Sequence, residues 1–142
     1  MPSNTTYNPI HVADFDKTRL LLAAQGVTAN ASYGTSTNLD LLLSDDCLLT
    51  GLVFFTNSGA YGDYANLQIV DTTGITGAPP GTVLDQVATN WYICPNQYFE
   101  VESVYPAKIM AGLTIRLVYT STSIGVGSTF VAVNYILHKC LI

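Results

Sequence analysis

The sequence predicts an all-β protein, an antiparallel β-sandwich of the jelly-roll type with about eight strands. Composition is the first reason: 49% of the residues are hydrophobic and 11% are charged, where an average globular domain has about 25% charged. Second, no apolar run reaches the roughly 18 residues of a membrane-spanning helix, so the hydrophobic residues are spread over short segments. Third, clusters of Gly, Ser, Asn, Asp and Thr divide those segments at the spacing of a sandwich or barrel, with no strand-helix alternation. An immunoglobulin-like sandwich is the alternative, but no Cys-Trp-Cys spacing supports it. A chain of 142 residues suits a single domain with one core.

Taken in order, residues 1–15 carry Pro2 and Pro9 among Asn, Thr and Ser, show neither apolar period, and read as an extended N-terminal arm. The sandwich is expected over 16–142. Its first segment, Arg19 to Ala31, is ambiguous: Asp16 could cap a helix through Leu20–Ala24, while continuation past Gly26 into Val27-Thr28 favours a strand. Leu39–Leu43, Leu48–Thr56, Ala65–Val70, Val87–Ile93 and Tyr98–Val104 are further strands, each bounded by turn-forming residues. Leu113–Tyr119 is the best of them, with Leu113, Ile115, Leu117 and Tyr119 on one face and Thr114 and Arg116 on the other. Phe130–Leu137 is apolar on both faces except at Asn134, so it is expected to be central and covered on each side. Between strands, Tyr105–Gly112 reads as a helical turn with Pro106 at its start, and Gly125-Val126-Gly127 as a hairpin connection. Asp71–Thr82 is long enough to be a contact-making loop.

The net charge is −5, and the five cations, Lys17, Arg19, Lys108, Arg116 and Lys139, are scattered. Phosphate recognition needs clustered cations, so nucleic acid is excluded as a partner, and an anionic membrane with it. No membrane partner is expected. No basic start and apolar stretch marks a secretory signal, so synthesis in the cytoplasm is expected and the sequons at Asn4 and Asn30 read as accidental. Cys47, Cys94 and Cys140 are odd in number and match no zinc spacing, which makes them buried thiols.

Chemistry finds little purchase. His138 and Cys140 would share a strand face, which permits contact without activating the thiol. The carboxylates Asp40, Asp45, Asp46, Asp63, Asp71, Asp85, Glu100 and Glu102 offer no reason to pair any two across a cleft. Asp45-Asp46 reads as a turn, since the ligand spacing of a calcium loop is missing. No phosphate-cradling glycine motif is present. No catalytic residue, metal or cofactor is expected. One binding set stands out: Tyr61 and Tyr64 flank Asp63 in a Gly-rich loop, and together with Trp91 they could stack on and hydrogen-bond a sugar. The competing reading places Trp91 and its neighbours in the core or an interface.

Several strings, Gly81-Thr82-Val83-Leu84, Asn90-Trp91-Tyr92-Ile93, Tyr105-Pro106-Ala107, Ala111–Tyr119 and Val133–Lys139, cover roughly the last 60 residues and are similar to the small jelly-roll cement, or decoration, proteins of tailed bacteriophages. That resemblance implies a non-enzymatic virion protein on the capsid exterior, a homotrimer that bridges major capsid subunits and needs no cofactor. Low charge and surplus apolar surface point independently to a homo-oligomer or a permanent assembly. The arm and the Asp71–Thr82 loop are expected to make its contacts.

Overall fold

The computed structural model describes residues 19–57, 60–93, 98–102, 105 and 107–140, with side chains from Gln25 onward except in 98–102 and at 140. The expected arm, 1–15, lies outside the described residues. Nine strands follow in order: β1 (Arg19–Ser32), β2 (Ser36–Leu42), β3 (Cys47–Thr56), β4 (Tyr64–Asp71), β5 (Thr82–Tyr92), β6 (Tyr98–Glu102), β7 (Lys108–Ile109), β8 (Thr114–Thr120) and β9 (Ser128–Cys140). They form two antiparallel sheets, one ordered β1-β9-β3-β6 with β7 also on β3, the other β2-β8-β4-β5. Apart from the two-residue β7, pairing is nested: β1 with β9, β2 with β8, β3 with β6, β4 with β5. First-with-last nesting across two sheets is the jelly-roll arrangement of eight strands.

Alternation decides which residues meet between the sheets. On β8, Ile115, Leu117 and Tyr119 are fully buried while Arg116 and Val118 are half-exposed, because successive side chains point to opposite faces. Leu49, Leu52 and Phe54 of β3 and Val131, Val133 and Tyr135 of β9 face them. Two tyrosines tie the sheets together. Phe54 stacks on Tyr119 at 5.7 Å, and the Tyr135 hydroxyl donates to the Leu39 carbonyl of β2 at 2.7 Å. Each of these large side chains contributes about 1.5–3 kcal/mol through burial. The outer face of the second sheet is polar, with the Arg116 fork on Asp40 at 2.7 and 2.9 Å and Gln68 donating to Gln86 at 3.1 Å.

Four expectations are corrected. Tyr105–Gly112 is no helical turn: Lys108–Ile109 is a strand paired with Cys47–Leu48, because β6 stops at Gly51 and leaves that edge of β3 open for the buried Ile109. Gly125–Gly127 does not close a hairpin, since β8 and β9 lie in different sheets and the loop crosses between them. Strand β9 is central, but among the described residues it is covered on one face only, with Phe130 and Asn134 exposed on the other. Strand β5 begins at Thr82 rather than Val87, following the exposed edge of β4 through three register shifts.

Candidate functional site

Antiparallel nesting sends alternate connections to opposite ends of the sandwich. At one end lie the loops β1–β2, β3–β4, β5–β6 and β8–β9. They are tied by Tyr33 N–H to the Gly127 carbonyl (3.0 Å), Ser121 N–H to the Thr35 carbonyl (2.9 Å) and Ile93 N–H to the Asp63 carbonyl (2.9 Å). Across residues 33–35, 57–63, 93–97 and 121–127 the sequence holds one charged side chain, Asp63, and it is completely buried.

Asp63 organises that end. One carboxylate oxygen accepts from the Thr122 backbone and hydroxyl, both at 2.7 Å; the other accepts from Ala60 N–H at 3.0 Å and from the Tyr119 hydroxyl. Burial is the largest single influence on its pKa and pushes it up. The four donors together outweigh burial and hold the carboxyl below its usual 3.8. Burial and the Asp63 charge push the Tyr119 hydroxyl well above its ordinary value, so it stays a donor. Apolar side chains stand exposed above this hub: Tyr61 (85%), Ile124 (96%) and Val126 (fully) on the loops, and Tyr92 (72%) at the end of β5.

At the opposite end lie the loops β2–β3, β4–β5 and β7–β8, and here charges are exposed and paired. Lys139 meets Asp45 at 3.0 Å and Lys108 meets Asp46 at 3.5 Å. Ala111 N–H donates to Asp46 at 2.8 Å, and this bond is the main reason its carboxyl lies below the usual range. The long loop is pinned by Asp71, which accepts from Gly74 N–H (2.8 Å), Ile75 N–H (3.1 Å), Thr76 N–H (2.9 Å) and the Thr76 hydroxyl. That hydroxyl is the largest cause of its lowered pKa. Gly112 closes the neighbouring turn at φ 91°, where an added Cβ would lie 2.6 Å from Ile75 Cδ1.

The residues of the expected sugar-binding set stand in different surroundings. Tyr61 stands on a loop tip, Tyr64 is half-buried opposite Tyr92 with ring centroids 6.2 Å apart, and Trp91 packs against the core. All the acceptor capacity of Asp63 is turned toward the protein's own donors. The carboxylates Asp40, Asp45, Asp46 and Asp85 are likewise engaged, the last by the Tyr105 hydroxyl at 2.7 Å. Among the described residues, buried Nδ1 of His138 meets no hydrogen-bond partner and no group of three His, Cys, Asp or Glu could hold a metal. Cys47 is buried, its thiol directed to the Asp45 carbonyl at 3.2 Å; Cys94, the side chain of Cys140, and those of Glu100 and Glu102 lie outside the described residues. Sequence reading missed Ile124 and Val126. The available signal was two branched apolar residues in a Gly-Ser turn, where polar residues are the rule.

No protein-family model and no curated protein matches the sequence. Among solved structures, the chain is similar to one in a structure of infectious bursal disease virus, Gt strain, with TM-score 0.40 and 13% identity over 87% of this chain and 37% of that one. It is also similar to one in the infectious bursal disease virus VP2 subviral particle, with TM-score 0.34 and 13% identity over 87% of this chain and 39% of that one. The chain thus spans well under half the length of either.

Proposed function

We propose that this chain is a non-enzymatic structural protein of a virion, a cement or decoration protein that sits on the capsid exterior as a homo-oligomer, in the reading a trimer, and bridges major capsid subunits. The observation that carries the contact-making part is the end of the sandwich built on Asp63, an uncharged surface on which Tyr61, Tyr92, Ile124 and Val126 are exposed. Apolar side chains held out on a fixed base suit an interface core, where charge is depleted. The virion part rests on the resemblance of the last 60 or so residues to phage cement proteins. The arm, residues 1–15, and the Asp71–Thr82 loop add further contacts.

Cosedimentation with shells lacking this protein tests the reading. Wild-type chain should pellet with the shells, deletion of residues 2–14 should weaken binding, and Ile124→Ser with Val126→Ser should weaken it further. Light scattering should give a mass of three chains. A monomer that ignores the shells would end the proposal. The second reading, a glycan-binding module, is favoured by the exposed Tyr61 and Tyr92 rings; a saccharide stacked on Tyr61, Tyr64 or Trp91 in a soaked crystal would promote it.

A further inference from the structure

The outer face of the β2-β8-β4-β5 sheet carries an ordered set of polar side chains beside a pair of rings. Alternation puts Asn66 and Gln68 of β4 on it, with Arg116 of β8 and Asn38 and Asp40 of β2 in the matching rungs. At the end of the same face the Tyr64 ring meets the exposed Tyr92 ring edge-on, with centroids 6.2 Å apart. How Tyr92 comes to stand there is readable in the register. Between the pairs Ala65–Trp91 and Leu67–Ala88 the edge strand β5 spends one residue more than β4. Asn90 takes up the excess at φ 54°, the one non-glycine residue with a positive φ among those described. The Asn66 side-chain oxygen holds that bulge by accepting from Asn90 N–H at 2.7 Å. Trp91 therefore turns to the core and Tyr92 outward.

We propose that this face binds a neutral oligosaccharide, with a sugar ring stacked on Tyr92 and its hydroxyls held by Asn66, Gln68 and Asn38. The protein has already set the hydrogen-bonding directions. With its oxygen on Asn90, Asn66 offers its amino group; with its amino group on Gln86 at 3.1 Å, Gln68 offers its oxygen. A donor and an acceptor two residues apart on one strand, about 6.8 Å, suit sugar hydroxyls, which both donate and accept. Charge narrows the class. Arg116 and Asp40 neutralise each other through the fork at 2.7 and 2.9 Å, so the face holds no unpaired cation for a phosphate or sulfate. Apolar area narrows it again: Val118, half-buried, is the apolar residue in these rungs, which is too little for the core of a protein interface. An exposed ring beside a few fixed polar groups suits a small polar ligand instead, and strands hold those groups at little cost in ordering. This moves the sugar of the second reading from the Asp63 loop to the sheet face. It stands apart from the shell-bridging reading, with which it shares Tyr92 alone.

The test applies the full-length protein to an array of neutral oligosaccharides of glucose, galactose, mannose and N-acetylhexosamine, with sialylated and sulfated ones alongside. The neutral ligand it retains best is then titrated calorimetrically. Tyr92→Ala should weaken that ligand about tenfold and Gln68→Ala about fivefold, while Tyr92→Phe should keep most of the affinity. Urea midpoints of the variants separate a lost contact from a lost fold. Retention of no neutral oligosaccharide, or of the charged ones alone, would overturn the proposal. Unchanged affinity in folded Tyr92→Ala and Gln68→Ala proteins would overturn it too, and if Tyr61→Ala removes the affinity instead, the sugar belongs on the loop of the second reading.

Discussion

The two ends of the sandwich solve the same problem with opposite means. At each, loops that leave the sheets carry backbone N–H groups that need acceptors, and at each a buried aspartate supplies them. Asp71 does so within its own loop, taking donors from residues three to five positions along the chain. Asp63 does so between loops, joining β3–β4 to β8–β9 and to the Tyr119 hydroxyl of the core. The exteriors differ in the same sense. Around Asp71 the surface carries the ion pairs of Asp45 and Asp46 with Lys139 and Lys108; around Asp63 it is uncharged and ends in Ile124, Val126, Tyr61 and Tyr92. A locally folded loop can vary in sequence without disturbing its neighbours. A cross-linked set of loops can hold apolar side chains out in water without collapsing.

The sharpest way to break the comparison is to remove the inter-loop hub. Asp63→Ala strands four buried or half-buried donors and should cost about 3 kcal/mol, read as a lower urea midpoint with unchanged slope. Asp71→Ala should give a smaller fall, with proteolysis confined to residues 72–81, because its donors can reach water when the loop opens. Gly112→Ala comes next: a positive φ and contact with Ile75 should together cost about 1–2 kcal/mol, partly recovered by pairing it with Ile75→Val.

Acid should act on both aspartates. Both aspartates have folded pKa values below the ordinary 3.8, so the unfolded chain takes up protons first as pH falls. Their stabilisation is therefore complete above about pH 5 and is lost below about pH 4 as the folded carboxyls themselves protonate. Wild-type stability should be level from neutral pH to about 5 and then drop, and Asp63→Ala and Asp71→Ala should each flatten that drop. At the bottom of the scale, Arg116→Lys breaks the fork on Asp40 on the outer sheet face, and an exposed pair of this kind should cost less than about 1 kcal/mol. Ile124→Ser and Val126→Ser should leave stability within about 0.5 kcal/mol of wild type. Their effect should appear in binding alone.

Strands were far more legible than sites. Strand β8 was readable because its alternation is clean, and β1 because Gly26 and Val27-Thr28 disfavour continuing a helix begun at Leu20. The jelly-roll class followed from the number of short strands, and the nested pairing realises it. The failures share a cause: each depended on a partner distant in sequence. Lys108–Ile109 became a strand only because β3 offered an open edge at Cys47. The outer face of β9 looked buried because Phe130, Ala132 and Ile136 are apolar, and nothing local reveals that the described residues place no second layer above it. Asp63 was noticed for its tyrosine neighbours, yet its partners Tyr119 and Thr122 are more than fifty residues away. For Asp71 a signal did exist, since Asp before Thr-Thr-Gly-Ile-Thr is a sequence that caps its own loop.

Nesting the first strand with the last also sets the order of events at birth. The Leu-rich β1 is made before β2–β8 and its hydrogen-bonding neighbour β9 after them, so an oily ribbon must wait unmated until the strands between have been made. Contacts so remote along the chain make for slow self-organisation, and premature termination before Ser128 would leave a sheet missing its middle. Products that lack β9 should accordingly clump while chains that carry it remain dispersed.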